Sequence, residues 1–365
     1  MRRPPSSRPA NGRAPQHRSA RGGGSLRSGG ATALVLMALG MALPGCAFGP
    51  KPTREVRVYS GRHYNTDQAI YRQFEASTGI RVRLLESNDN AILQRLQQEG
   101  RNSSADVLIL VDAARLANAA ELGLFQPLPS ARLMEELPAS LRDPEGRWFA
   151  LTRRVRALVV NPALVKPGSL TSYADLADPG LRGKLCLRNR ANVYNQSLVA
   201  DQMILRGDGP AAAWVRGMVA NLAQPVFTSD TNLARAVANG QCGVGVVNSY
   251  YVARMLGGAQ GADDRALMNK VTIVYPRPAH VNVSGAGVTR HARNRAEAIR
   301  LIEFLTSPTA SEGFAQGSYE YPLKGFGRNP ILQAMGSFEA DGVSAARLGG
   351  RRAEATRLME ANGWR

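Results

Sequence analysis

The sequence is short of the residues from which most active sites are built. Histidine occurs four times and cysteine three times in 365 residues, so chemistry based on clustered imidazoles or thiolates has little to draw on. No HExxH pair, nucleophile elbow or phosphate-binding glycine loop is present, which sets aside the metalloprotease, serine-hydrolase and P-loop classes. Catalysis is therefore not expected. Acids are also sparse, 28 against 46 lysines and arginines, giving a formal charge of +18. The basic residues after position 50 are interspersed with acids, with no aromatic-interleaved patch, so nucleic acid is not an expected partner. Only Ala31–Leu43 forms a long apolar run, and it falls short of the ~20 residues that span a bilayer.

That run has the length of the apolar region of a secretory signal. Seven arginines and no acid lie between Arg2 and Arg27, and this Arg-, Pro-, Gly- and Ser-rich leader is not expected to pack. The run ends in Leu43-Pro44-Gly45-Cys46, which resembles a bacterial lipoprotein cleavage site with Cys46 as the lipid-bearing residue. Plain cleavage nearby, for instance after Ala47, is the alternative. Export to the periplasm gives the other two cysteines a meaning. In an oxidising compartment Cys186 and Cys242 are expected to be bridged rather than free. With no histidine near either, they make a poor zinc site.

After the leader the chain alternates strands and helices. Val56–Tyr59, Ile80–Leu85 and Asp106–Val111 read as strands. Helices fall between and after them: one carrying Ile70 and Phe74 and stopped by Gly79, then Ala91–Gln98 and Ala113–Leu122. A second stretch repeats the pattern, with strands at Val155–Val160, Lys184–Leu187, Gly243–Val247, Lys270–Tyr275 and Val281–Val288. Its helices are Tyr173–Leu176, Gln196–Leu205, Pro210–Leu222, Asn232–Ala238 and Arg295–Leu305, and Val343–Asn362 reads as a terminal helix. The fold class is α/β with two mostly parallel sheets, hinge crossovers and a ligand cleft between two lobes at the carboxyl ends of the strands. Residues 54–154 with a returning 282–330 make the first lobe, 155–281 the second, and 331–365 a C-terminal helical segment.

Tyrosine points to the ligand. Tyr64 follows the first strand, Tyr194 sits in Asn192-Val193-Tyr194-Asn195-Gln196, and Tyr250-Tyr251 follow Asn248-Ser249. Phenolate is a hard, anionic oxygen donor suited to a small, highly charged ion such as Fe³⁺. A tyrosine normally titrates near ~10, and a trivalent ion offsets that deprotonation. A single tyrosine is more simply a rim or core residue with its hydroxyl satisfied, and Tyr59, Tyr71, Tyr173 and Tyr275 receive that reading. An adjacent pair in a strand points to opposite faces, but in a first helical turn both members can face one cleft.

Three segments carry a specific resemblance: Ser60-Gly61-Arg62-His63-Tyr64-Asn65-Thr66-Asp67, Asn192 to Ala200, and Val247-Asn248-Ser249-Tyr250-Tyr251. They resemble the ligand segments of the periplasmic ferric-iron-binding proteins of bacterial ABC importers, in their tyrosine-rich cyanobacterial form. Ser104-Ala105-Asp106-Val107-Leu108, Leu176-Ala177-Asp178-Pro179 and Asn282 to Val288 extend the likeness from Val56 to Pro322. The resemblance implies a type II periplasmic binding protein, usually monomeric, that hands Fe(III) to an inner-membrane permease. It implies phenolate ligands Tyr64, Tyr194, Tyr250 and Tyr251, with His63 as a nitrogen ligand or as a hydrogen-bonded neighbour of the metal. It leaves Asp112 as a helix cap. Arg154 and Arg254 would balance the charge of the phenolates, or would be surface arginines. A binding protein of the same fold for thiamine, a polyamine or an oxyanion is the alternative. So is an iron sensor docking on a receptor. Neither accounts better for four tyrosines in three motifs.

Overall fold

A computed structural model describes residues 54–62 and 64–365. The basic leader, the apolar run, the Cys46 motif and His63 lie outside the described residues. Strand β1 (Glu55–Ser60) runs into a loop holding Tyr64, then α1 (Asp67–Thr78), β2 (Arg81–Glu86), α2 (Asp89–Glu99), β3 (Val107–Val111) and α3 (Ala113–Glu121). The helix α1 turns Ile70, Tyr71 and Phe74 inward. Gly79 ends it at φ +68°, its N–H donating to Glu75, a conformation glycine adopts without a Cβ clash. Next come α4 (Ala131–Glu136), β4 (Phe149–Val160), β5 (Leu185–Cys186), α5 (Val193–Arg206), α6 (Asp208–Ala220) and α7 (Asp230–Ala238). They are followed by β6 (Val244–Asn248), α8 (Ser249–Leu256), α9 (Ala262–Met268), β7 (Thr272–Val274) and β8 (Val281–Val288). Five helices finish the chain: α10 (Arg295–Leu305), α11 (Pro308–Gly317), α12 (Pro330–Ala334), α13 (Ala345–Gly350) and α14 (Arg352–Ala361).

The strands follow the order β2-β1-β3-β8-β4-β6-β5, with β7 also on β4. Pairing is parallel at β1–β2, β1–β3 and β5–β6, where helices carry the chain back over the sheet. It is antiparallel wherever β4 or β8 takes part. The long β4 joins two half-sheets. Phe149–Val155 pairs with β8, while Arg156–Val160 pairs with β6. The apolar core divides along the same line. One cluster packs on β1, β3 and β8. Two others take opposite faces of the second half, Leu158, Val160, Val244 and Val246 on one and Val155, Val159 and Val247 on the other, as the two-residue strand period requires.

Several elements differ from the sequence reading. The strand expected from Val155 begins at Phe149. Its first half, Phe-Ala-Leu-Thr-Arg-Arg, ends in a half-buried and a buried arginine after apolar residues and so hides its period. The expected Lys184–Leu187 and Lys270–Tyr275 strands shorten to β5 and β7. The terminal helix is two helices broken at Arg351, after Gly349-Gly350. There a Cβ at Gly349 would lie 2.0 Å from Ala117 Cβ, so α13 and α3 approach closely through the glycine. Cys186 and Cys242 form a disulfide with Cα atoms 5.9 Å apart, tying β5 to the residues that enter β6. Among the described residues no helix is long and apolar enough to cross a membrane.

Candidate functional site

Each tyrosine singled out above is placed by a helix start or by the loop before one. Tyr64 precedes α1. Tyr194 lies in the first turn of α5, where the Asn192 side chain accepts from its backbone N–H and caps the helix. The sequence reading left Tyr194 just ahead of its helix. The helix instead starts three residues before the expected Gln196, because Asn192 is the cap. Tyr250 and Tyr251 occupy the first turn of α8, so both turn to one side as the first-turn alternative requires.

Tyr64, Tyr194, Tyr250 and Tyr251 line one cavity of about 360 Å³, together with Arg62, Asp89 and Arg254. The Tyr64 and Tyr250 ring centres are 6.2 Å apart in an edge-on contact, and those of Tyr250 and Tyr251 are 4.3 Å apart. The Tyr250 hydroxyl donates to that of Tyr194 at 3.4 Å. Tyr250 is buried and the other three are half-buried. Burial pushes the Tyr64, Tyr194 and Tyr250 phenols above their ordinary value; Glu320 pushes the same way at Tyr64, and at all three the ionisation of one phenol opposes that of its neighbours. Arg62 opposes this at Tyr64, and Arg154 at Tyr194 and Tyr250, without prevailing. These phenols are neutral at neutral pH unless a cation takes the place of their protons.

Four guanidiniums stand over the rings. Arg62 and Arg254 lie 5.0 and 5.4 Å from the Tyr64 ring centre, and Arg154 and Arg188 lie 5.4 and 5.9 Å from that of Tyr194. Arg154 and Arg254 were expected here from the sequence; Arg62 and Arg188 were not. Arg154 is not a surface residue, being 1% exposed. Its charge is already engaged. Glu320, fully buried, accepts from Arg154 at 3.1 Å, from Thr152 at 3.0 Å and from Arg62. Arg62 also pairs with Asp67 at 2.8 Å and donates to Ser284 at 2.9 Å. Two arginines and two carboxylates thus form a compensated network behind the cavity. Arg254, by contrast, makes no salt bridge among the described residues, and it sits one turn beyond Tyr250.

Asp112 caps α3, as expected, its carboxylate accepting from Ala114 at 2.9 Å. It does more than cap. Ser197 on α5 donates to it at 2.7 Å and Asn282 on β8 at 2.9 Å, so one carboxylate fastens three elements around the cavity. Glu320 escaped the sequence reading because its partner Arg62 is 258 residues away and no short motif encloses it.

The site can be set beside known proteins. Residues 69–324 match the family model described as bacterial extracellular solute-binding protein. Iron uptake protein A1 from Synechocystis is 41% identical over 321 residues, covering 87% of this chain and 89% of that protein. Iron uptake protein A2 from the same organism is 40% identical over 86% of this chain and 90% of its own length. Among solved structures, Trichodesmium IdiA (FutA) in complex with iron and citrate superposes with a TM-score of 0.82 at 39% identity, covering 85% of this chain and all of that one. This chain belongs to the bacterial extracellular solute-binding proteins, alongside relatives named for iron uptake.

Proposed function

We propose that the protein captures ferric iron outside the cytoplasm with a clamp of tyrosinates and passes it to the permease of an ABC importer. The observation that carries this reading is the convergence of Tyr64, Tyr194, Tyr250 and Tyr251, from three distant segments, on one cavity. Four phenolates on Fe³⁺ leave a net charge of −1, whereas Fe²⁺ or Zn²⁺ would leave −2 in a half-buried site. The harder, more charged ion is therefore the better match. Arg254 offsets the remaining charge. Arg154 and Arg62 act through the rings they cover, their own charges being held by Glu320 and Asp67. His63 supplies a fifth, nitrogen ligand in this reading, on the strength of the sequence resemblance.

Each tyrosine must lose its proton to bind, so loading releases protons and weakens as the pH falls. Tyr64 stands on the β1 side of the cavity and the other three on the β6 side. Closure about β4 would bring the two half-sheets, as lobes, together on the ion. The relatives named for iron support the cargo, and the iron and citrate bound to the Trichodesmium protein support its delivery as a citrate complex. Lipid attachment at Cys46 and a monomeric state complete the proposal.

The test is optical. The protein, stripped with a chelator, is titrated with ferric citrate. A visible tyrosinate-to-iron charge-transfer band saturating at one equivalent is expected, and Tyr194→Phe and Tyr250→Phe should each weaken it. Folded protein that develops no band would exclude the tyrosines as ligands.

A further inference from the structure

Away from the tyrosines, Asp201, His280 and Asp341 bring three potential ligand atoms within 4.8 Å of one another. They come from separate parts of the chain: Asp201 from the middle of α5, His280 from the residue before β8, and Asp341 from the segment between α12 and α13. Their side chains are 0, 1 and 2% exposed. His280 Nδ1 lies 3.5 Å from Asp201 Oδ1 and 3.7 Å from Asp341 Oδ2, long for N–H···O bonds. Neither ring nitrogen of His280, nor either of those two oxygens, makes a hydrogen bond among the described residues. Buried polar atoms are normally satisfied, and here Nδ1 and the two facing oxygens have only one another, at ion-pair rather than hydrogen-bond distance.

The remaining oxygens are in use. Gln202 donates to Asp201 Oδ2 at 2.9 Å, and the Val343 N–H donates to Asp341 Oδ1 at 2.8 Å. Each carboxylate is thereby oriented with its other oxygen turned toward the histidine. The backbone is fixed too. Asp341 donates to Ala279 at 3.0 Å, Ala279 to Glu339 at 2.7 Å, and His280 to the Tyr173 hydroxyl at 3.1 Å. Donors held about 2.0–2.1 Å from a tetrahedral zinc ion stand roughly 3.3–3.5 Å from each other, close to the spacing of His280 from its two partners. Two carboxylates and a neutral imidazole also cancel the charge of a divalent cation.

We propose that Asp201, His280 and Asp341 form a second metal site, for a structural divalent transition-metal ion of the Zn²⁺ type. Such an ion clasps α5 and the start of β8 to the C-terminal segment. Asp341 borders the exposed Gly342. The site is independent of the cavity, since Asp201 lies two helical turns along α5 from Tyr194.

Zn²⁺ alone is the probe. Chelator-stripped protein is incubated with Zn²⁺, desalted and assayed for bound metal, beside the Tyr194→Phe/Tyr250→Phe double variant and His280→Gln. One retained ion is expected in the wild type and in the double variant. A drop in affinity of at least tenfold is expected in His280→Gln, with its response to ferric citrate unchanged. Co²⁺ should give the intense visible absorption of a tetrahedral ion in the intact protein and in the double variant, a readout independent of whether His280→Gln folds. Absence of both retained Zn²⁺ and the Co²⁺ band overturns the proposal. So does an ion lost in the tyrosine variant, or one held unchanged by folded His280→Gln.

Discussion

Glu320 shows what a single buried carboxylate does behind the cavity. It joins two buried guanidiniums, and it is the one carboxylate paired with Arg154 among the described residues, whereas Arg62 also has Asp67. Removing one member of a buried ion network costs about 3–5 kcal/mol. Glu320→Gln should therefore lower the stability of iron-free protein by that order in urea unfolding. Burial pushes the Glu320 carboxyl up, yet Arg62, Arg154 and Thr152 together hold it below its ordinary value of 4.5. A carboxyl depressed in the folded state stabilises fully above its ordinary value and loses that stabilisation as the pH falls through the lowered one. The urea midpoint of the wild type should thus decline below about pH 4.5, and Glu320→Gln should decline less steeply over that range. The tyrosines were legible in sequence because each sits in a short run of polar neighbours beside an apolar strand. Glu320 was not, since nothing local distinguishes it from a surface glutamate.

At the scale of elements, the glycines of Ser284-Gly285-Ala286-Gly287 have a definite task. A Cβ on Gly287 would stand 2.4 Å from the Arg147 carbonyl oxygen and 2.5 Å from the Phe125 ring. The first of these is backbone and cannot step aside, so β8 sits flush against its surroundings only as glycine. Gly287→Ala should cost about 1–3 kcal/mol, the usual range for overpacking, seen as a lower thermal midpoint. The disulfide works on the second half-sheet. Its cysteines are 56 residues apart, and closing a loop of that length stabilises by up to roughly 4 kcal/mol. Cys186→Ala/Cys242→Ala should lose a large part of this, and reductant should no longer shift the midpoint of the double variant. Strand and helix periods revealed most of these elements. They failed at the first half of β4, where Arg153 and Arg154 occupy positions that a simple apolar pattern leaves to solvent.

For the whole molecule, β4 matters most. It belongs to both half-sheets, and the two core sets meet along it. Alternation of strands and helices suggested two lobes, but which strand joined them depended on long-range pairing that no local pattern carries. In the proposed function, loading with ferric citrate should contract the protein in small-angle scattering. Tyr64→Phe removes the one tyrosine that, among the described residues, lines the cavity from the β1 side. It should keep a weakened charge-transfer band while losing much of the contraction. An equal contraction in the variant would argue against closure through Tyr64.

The tyrosines are divided three to one across the joint. Spreading the molecule about β4 leaves that strand continuous, and in the ferric reading it detaches only the Tyr64 oxygen and the nitrogen of His63 beside it in sequence. The ion would then rest on Tyr194, Tyr250 and Tyr251, where three negative oxygens match its three positive charges. An opened molecule is thus still a loaded one. Its recipient has to draw the iron away by offering competing donors, rather than wait for the jaws to part and the ion to fall out.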